Sequence, residues 1–181
     1  MTLRRAGPAT AVAVALVAVL GAVALGDTDS RTGAARAGAA VPGTPPMPME
    51  LEVLVRWDRQ RAAAYSRGDL PGLLALYHAG SRTGRADELL LAAWTRRGLR
   101  VHGLRMQLLA YDVGERSAHR FELTVTDRMH HAVALGPRPC GPCPPVRVEL
   151  PAGQPETRTI TFLRRGAGWV VDEVRPLAAL P

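Results

Sequence analysis

Residues 61–77, Arg61-Ala62-Ala63-Ala64-Tyr65-Ser66-Arg67-Gly68-Asp69-Leu70-Pro71-Gly72-Leu73-Leu74-Ala75-Leu76-Tyr77, decide the fold. The first part closes a helix that begins near Glu50. Leu51, Leu54, Val55, Ala62 and Tyr65 recur at helical spacings and form one apolar stripe. Gly68 stops that helix. Asp69 is a good N-cap for a second one, with Pro71 tolerated in its first turn. Leu73, Leu74, Leu76 and Tyr77 form the buried side of this second helix.

Beyond Tyr77 a third helix is expected from about Ala86 to Arg97. Leu89, Leu90 and Ala93 line it, two arginines close its last turn and Gly98 ends it. After Gly98 the period changes to two. His102, Leu104, Met106 and Leu108 alternate with more polar neighbours, as do Phe121, Leu123 and Val125, so both segments read as half-buried strands. Gly114-Glu115 suits a two-residue turn between them. Met129 to Leu135 continues the sheet, and residues 136–156 form a long Pro/Gly loop. Thr157–Arg165 and Trp169–Arg175 make a last hairpin around Gly166-Ala167-Gly168. Helices followed by antiparallel strands define an α+β domain, with the N-terminal helices packed on one face of a curved antiparallel sheet.

The helix, Gly-Asp break and second helix ending in an aromatic resemble the opening of the nuclear transport factor 2-like (NTF2-like, SnoaL-like) superfamily. Arg164-Arg165-Gly166-Ala167-Gly168-Trp169-Val170-Val171 resembles its final hairpin. The resemblance covers roughly residues 50–175 and implies a cone-shaped fold. It leaves function open, because this fold hosts enzymes, binders and assembly modules. In several enzymes of the superfamily, Asp or His residues line the space between sheet and helices. A ligand pocket there would be walled by Tyr65, Tyr77, Trp94, Met106 and Phe121, although core packing is the default role for such residues.

Arg4 and Arg5 precede an uncharged run from Ala6 to Gly26. A basic segment before an apolar one marks export. Ala22-Val23-Ala24 fits a cleavage site, whereas the length of the run approaches the ~20 residues of a spanning helix. Residues 1–26 are therefore a signal-anchor or a signal peptide. Either way the domain is expected outside the cytoplasm, at the cell membrane with its N-terminus inside, or secreted. Residues 27–48 are a Pro/Gly/Ala-rich linker and residues 49–181 the domain. The net charge of +7 comes from 23 arginines with no lysine. Their scatter, without interleaved aromatics, argues against a nucleic-acid partner. The membrane is the first expected partner, through the N-terminal segment. A protein partner or a small apolar ligand, and a second copy pairing through the sheet, are the others.

No nucleophile elbow, Walker loop or dinucleotide fingerprint occurs, and no cofactor is expected. Cys140-Gly141-Pro142-Cys143 has the spacing of a redox site, but its flanking prolines oppose the helix that would activate a thiol. A structural disulfide or two free thiols fit better. His130 and His131 are adjacent on a strand and point to opposite faces, so no metal site is expected. His102 and Asp127 each continue an apolar face, where a polar group is costly unless paired. The Gly114-Glu115 turn would set 102 against 127, with Cβ atoms about 5 Å apart. These are the catalytic candidates for a small lyase or isomerase. The contrasting expectation is a non-catalytic binding or assembly module close to the membrane, with Asp127 merely paired to Arg105 or Arg128.

Overall fold

The computed structural model describes residues 46–177. The apolar run at 6–26 and the linker up to residue 45 lie outside them. No helix among the described residues is long and apolar enough to cross a membrane.

Three helices come first: α1 (Met49–Arg67), α2 (Leu70–Leu74) and α3 (Arg82–Arg96). Gly68 takes φ 67° and closes α1 with its N–H on the Ala64 carbonyl, a left-handed cap that glycine adopts without strain. The Asp69 carboxylate then accepts the Gly72 N–H at 2.9 Å and starts α2. The third helix begins earlier than Ala86. Ser81 caps it by accepting the Gly84 N–H at 3.0 Å, and Thr83 Oγ1 accepts the Val174 N–H, tying the helix start to the sheet.

The strands are β1 (Arg100–Arg116), β2 (Arg120–Leu135), β3 (Arg147–Glu149), β4 (Glu156–Arg165) and β5 (Gly168–Pro176). They form one antiparallel sheet in the order β1-β2-β4-β5, with β3 paired to the far end of β2. The short β3 lies within the stretch expected to be loop throughout. Tyr77 bridges Val171, so the chain leaving α2 lies along β5. Phe121, Leu123, Val125, Ile160, Phe162 and Val171 face the helices and meet Leu51, Leu54, Trp57, Tyr65, Leu73 and Leu91 in one core. The opposite face carries threonines, with Thr124 and Thr126 hydrogen-bonded to Thr159 and Thr157 across β2 and β4.

The turn between β1 and β2 differs from expectation. Gly114 and Glu115 lie within β1, and the reversal uses Ser117 to Arg120. Ser117 Oγ accepts the N–H groups of His119 and Arg120, at 3.3 and 3.1 Å, which gives this longer turn its own scaffold. β1 also carries several register shifts. One follows Gly103, whose φ of 63° suits glycine and breaks the two-residue alternation assumed for His102 and Leu104.

Candidate functional site

The changed register separates the two expected partners. His102 pairs with Val133 and Asp127 with Leu108, six positions further along β1, or roughly 20 Å. The His102–Asp127 juxtaposition is therefore corrected: the wider turn and the bulges move β2 along β1. His102 is half-buried, whereas Asp127 lies inside the cone at 1% exposure. The partner of Asp127 is neither Arg105 nor Arg128 but Arg158 of β4, which donates from Nη2 to Oδ2 at 2.9 Å.

Two polar groupings occupy the interior. The first is closed. Arg61 of α1 donates from Nε and Nη2 to the Asp87 carboxylate of α3, at 2.6 and 2.5 Å. Tyr65 and Tyr77 each donate a hydroxyl to the same carboxylate at 2.7 Å. Burial opposes ionisation of Asp87, but Arg61 and the two phenols outweigh it and hold its pKa below the usual carboxylate range. Burial pushes both tyrosines well up, so they remain donors. A bidentate pair with both remaining lone-pair directions filled is a structural clamp joining α1, α3 and the end of α2.

The second grouping is open. Asp58, one turn before Arg61, has both carboxylate oxygens shut off from solvent with no hydrogen-bond partner among the described residues. Burial raises its pKa well above the usual value, Arg158 and Arg61 oppose that rise, and Asp127 adds to it. For Asp127, burial outweighs the attraction of Arg158 and pushes the pKa up to about 6. A carboxyl kept neutral in an apolar site can donate a proton, and one poised near 6 can accept one.

The other candidates are core or surface features. Tyr65, Tyr77, Met106 and Phe121 are all buried. Phe121 stacks on Phe162 at 4.8 Å and meets Trp169 edge-on. Trp94 is half-buried beneath the Arg97 guanidinium. Cys140 and Cys143 are joined by a disulfide in the loop after β2. No cluster of metal-ligating side chains exists among the described residues. Grooves on the outside of the cone include one of about 580 Å³ between α1, α2 and the β4–β5 hairpin.

Sequence reasoning missed Asp58, Arg61, Asp87 and Arg158, although a signal was present. Asp58 and Arg61 lie on the Leu51, Leu54, Tyr65 stripe, Asp87 precedes Leu91 by one turn, and Arg158 is in phase with Ile160 and Phe162. Each is a charge on an apolar face, the same anomaly that singled out Asp127.

Helices on one face of an antiparallel sheet, with a Gly-Asp break after α1 and a closing Gly-Trp hairpin, make this an α+β fold. No family model and no curated protein matches the chain. Among solved structures, the intermembrane-space region of the chloroplast protein ARC6 is 17% identical with TM-score 0.45, covering 75% of this chain and 100% of that one. Aln2 from a Streptomyces species is 15% identical with TM-score 0.45, over 72% and 91%. A proposed dehydratase of the NTF2-like family from Streptomyces avermitilis is 18% identical with TM-score 0.42, over 72% and 97%.

Proposed function

We propose that this chain is a non-catalytic binding module displayed outside the cytoplasm and kept close to the membrane by its N-terminal segment. The observation that carries the reading is the use made of the interior. Arg61, Asp87, Tyr65 and Tyr77 satisfy one another, and Trp57, Phe121 and Phe162 pack between helices and sheet. The His102–Asp127 pair expected for an enzyme is not formed, since the two pair with Val133 and Leu108. The export reading rests on Arg4-Arg5 before the apolar run, and the linker of 27–48 gives the domain limited reach from a membrane.

A second reading, a small lyase or isomerase, is favoured by one observation: Asp58 and Asp127 are buried carboxyls with raised pKa values. Incubating the full-length protein with a panel of apolar ketones and hydroxyketones, followed by mass spectrometry and chiral chromatography, separates the two. The module reading expects no product above buffer. Turnover that Asp58→Asn or Asp127→Asn abolishes, with the fold retained, would replace it with the enzyme. Location is checked separately: alkaline phosphatase fused after Pro181 is expected to be active, and activity only from a cytoplasmic reporter would contradict display outside.

A further inference from the structure

The groove between α1, α2 and the β4–β5 hairpin has a consistent electrical character. Arg56 and Arg67 stand at its two ends on α1, and Arg165 stands on the hairpin wall. Ala63, Leu76 and Trp169 give it an apolar floor, and no Asp or Glu lines it. Arg56 forms no ion pair among the described residues, and Arg67 meets only Asp69 at 3.3 Å in an exposed contact. Arg165 is held in place by carbonyls, donating to Ala75 and Tyr77, and forms no ion pair among the described residues. Three guanidinium groups around one concavity give it a positive potential, and an occupant bearing carboxylates complements it.

The spacing narrows the occupant. Arg56 and Arg67 are about three turns apart on one side of α1, roughly 16 Å. An extended chain covers that distance in about five residues. Its alternate side chains would lie on the apolar floor while carboxylates at its ends reach the arginines. A concave floor bearing an indole suits a chain with side chains better than the plane of a lipid surface.

We propose that this groove is a docking site for an extended acidic peptide segment of a partner protein, with carboxylates about five residues apart and apolar residues between them. This deepens the binding-module reading and rests on it. The test is selection of a random peptide display library on the full-length protein. The site predicts enrichment of sequences with two acidic positions at that separation around an apolar centre. The charge-reversed variant Arg56→Glu/Arg67→Glu should bind the selected peptide at least about tenfold more weakly. Ala63→Trp, which fills the floor without altering charge, should also lose it. Both variants are compared with the parent for thermal midpoint, so lost binding is not mistaken for unfolding. Absence of enrichment, enrichment without acidic positions, or binding unaffected by both variants would overturn the proposal. So would arginine-dependent binding to phosphatidylglycerol vesicles without any peptide selection. Turnover at Asp58 alongside intact peptide binding would sink the module reading and leave this site standing.

Discussion

Asp58 illustrates how a single residue can be legible in sequence and still be passed over. Its spacing to Leu54 and Tyr65 puts it on the buried stripe of α1, yet an acidic residue in a helix rich in arginine reads as solvated. Only the packed structure shows its oxygens enclosed. The consequence is a pH dependence with a definite sign. A carboxyl whose folded pKa is raised contributes stability that is fully present below its unfolded value, near 4, and is lost as pH rises through the folded value. For Asp127 that loss runs from about 4 and is complete above about 6, and Asp58 acts in the same direction. Asp87, lowered, acts oppositely, and its contribution is lost only in acid below the ordinary carboxylate range. The thermal midpoint of the full chain is therefore expected to rise as pH falls from about 7.5 to about 5, then to drop below about 4. Asp58→Asn should stabilise by roughly 1–3 kcal/mol at about pH 7.5, because it removes a buried unpartnered carboxyl, and change little at about pH 4. Scanning calorimetry checks both, and a destabilised Asp58→Asn protein would mean that Asp58 has a partner worth more than its burial costs.

At the scale of elements, the order and breaks of the helices were the legible part, whereas the buried sides of α2 and α3 were not: Leu74 and Leu89 are exposed, and Leu91 is the leucine that α3 buries. Gly68 and Asp69 punctuate α1 and α2 where their backbone chemistry requires. The β1–β2 hairpin was half legible. Both strands and the buried face of β2 follow from alternation. The face of β1 shifts at Gly103, with Val101 and Met106 buried and His102 only half-buried, and the register does not follow either. It depends on a turn scaffolded by the Ser117 hydroxyl and on bulges, neither of which has a period-two signature. Gly103 is the informative residue. At φ 63° an added Cβ would also sit 3.2 Å from the His131 ring. Gly103→Ala is expected to cost about 1–2 kcal/mol of stability, the penalty of a left-handed non-glycine residue. Urea denaturation measures it. An unchanged midpoint would mean that the irregularity at this point of β1 is not held by glycine.

For the whole molecule, the α+β order of helices and then antiparallel strands was readable from the order of periodicities, and the site was not. A buried charge reveals itself by phase within one element, but its partner lies on another: Arg61 with Asp87, Asp127 with Arg158. Sequence spacing carries no record of those meetings. The outer groove is still less visible, since it draws on α1, α2 and the hairpin at once. On the proposed reading, the interior ion pairs Arg61–Asp87 and Asp127–Arg158 hold the fold while recognition happens on the outside. The most direct measurement is an amide and indole chemical-shift map of the full-length protein. It is titrated in turn with apolar ketones and with the acidic peptide selected on the groove. Saturable shifts are expected at Arg56, Ala63 and the Trp169 indole with the peptide, and none at Asp58, Asp127 or Arg158 with the ketones. Saturable ketone-induced shifts at those three residues, with the groove silent, would contradict that reading.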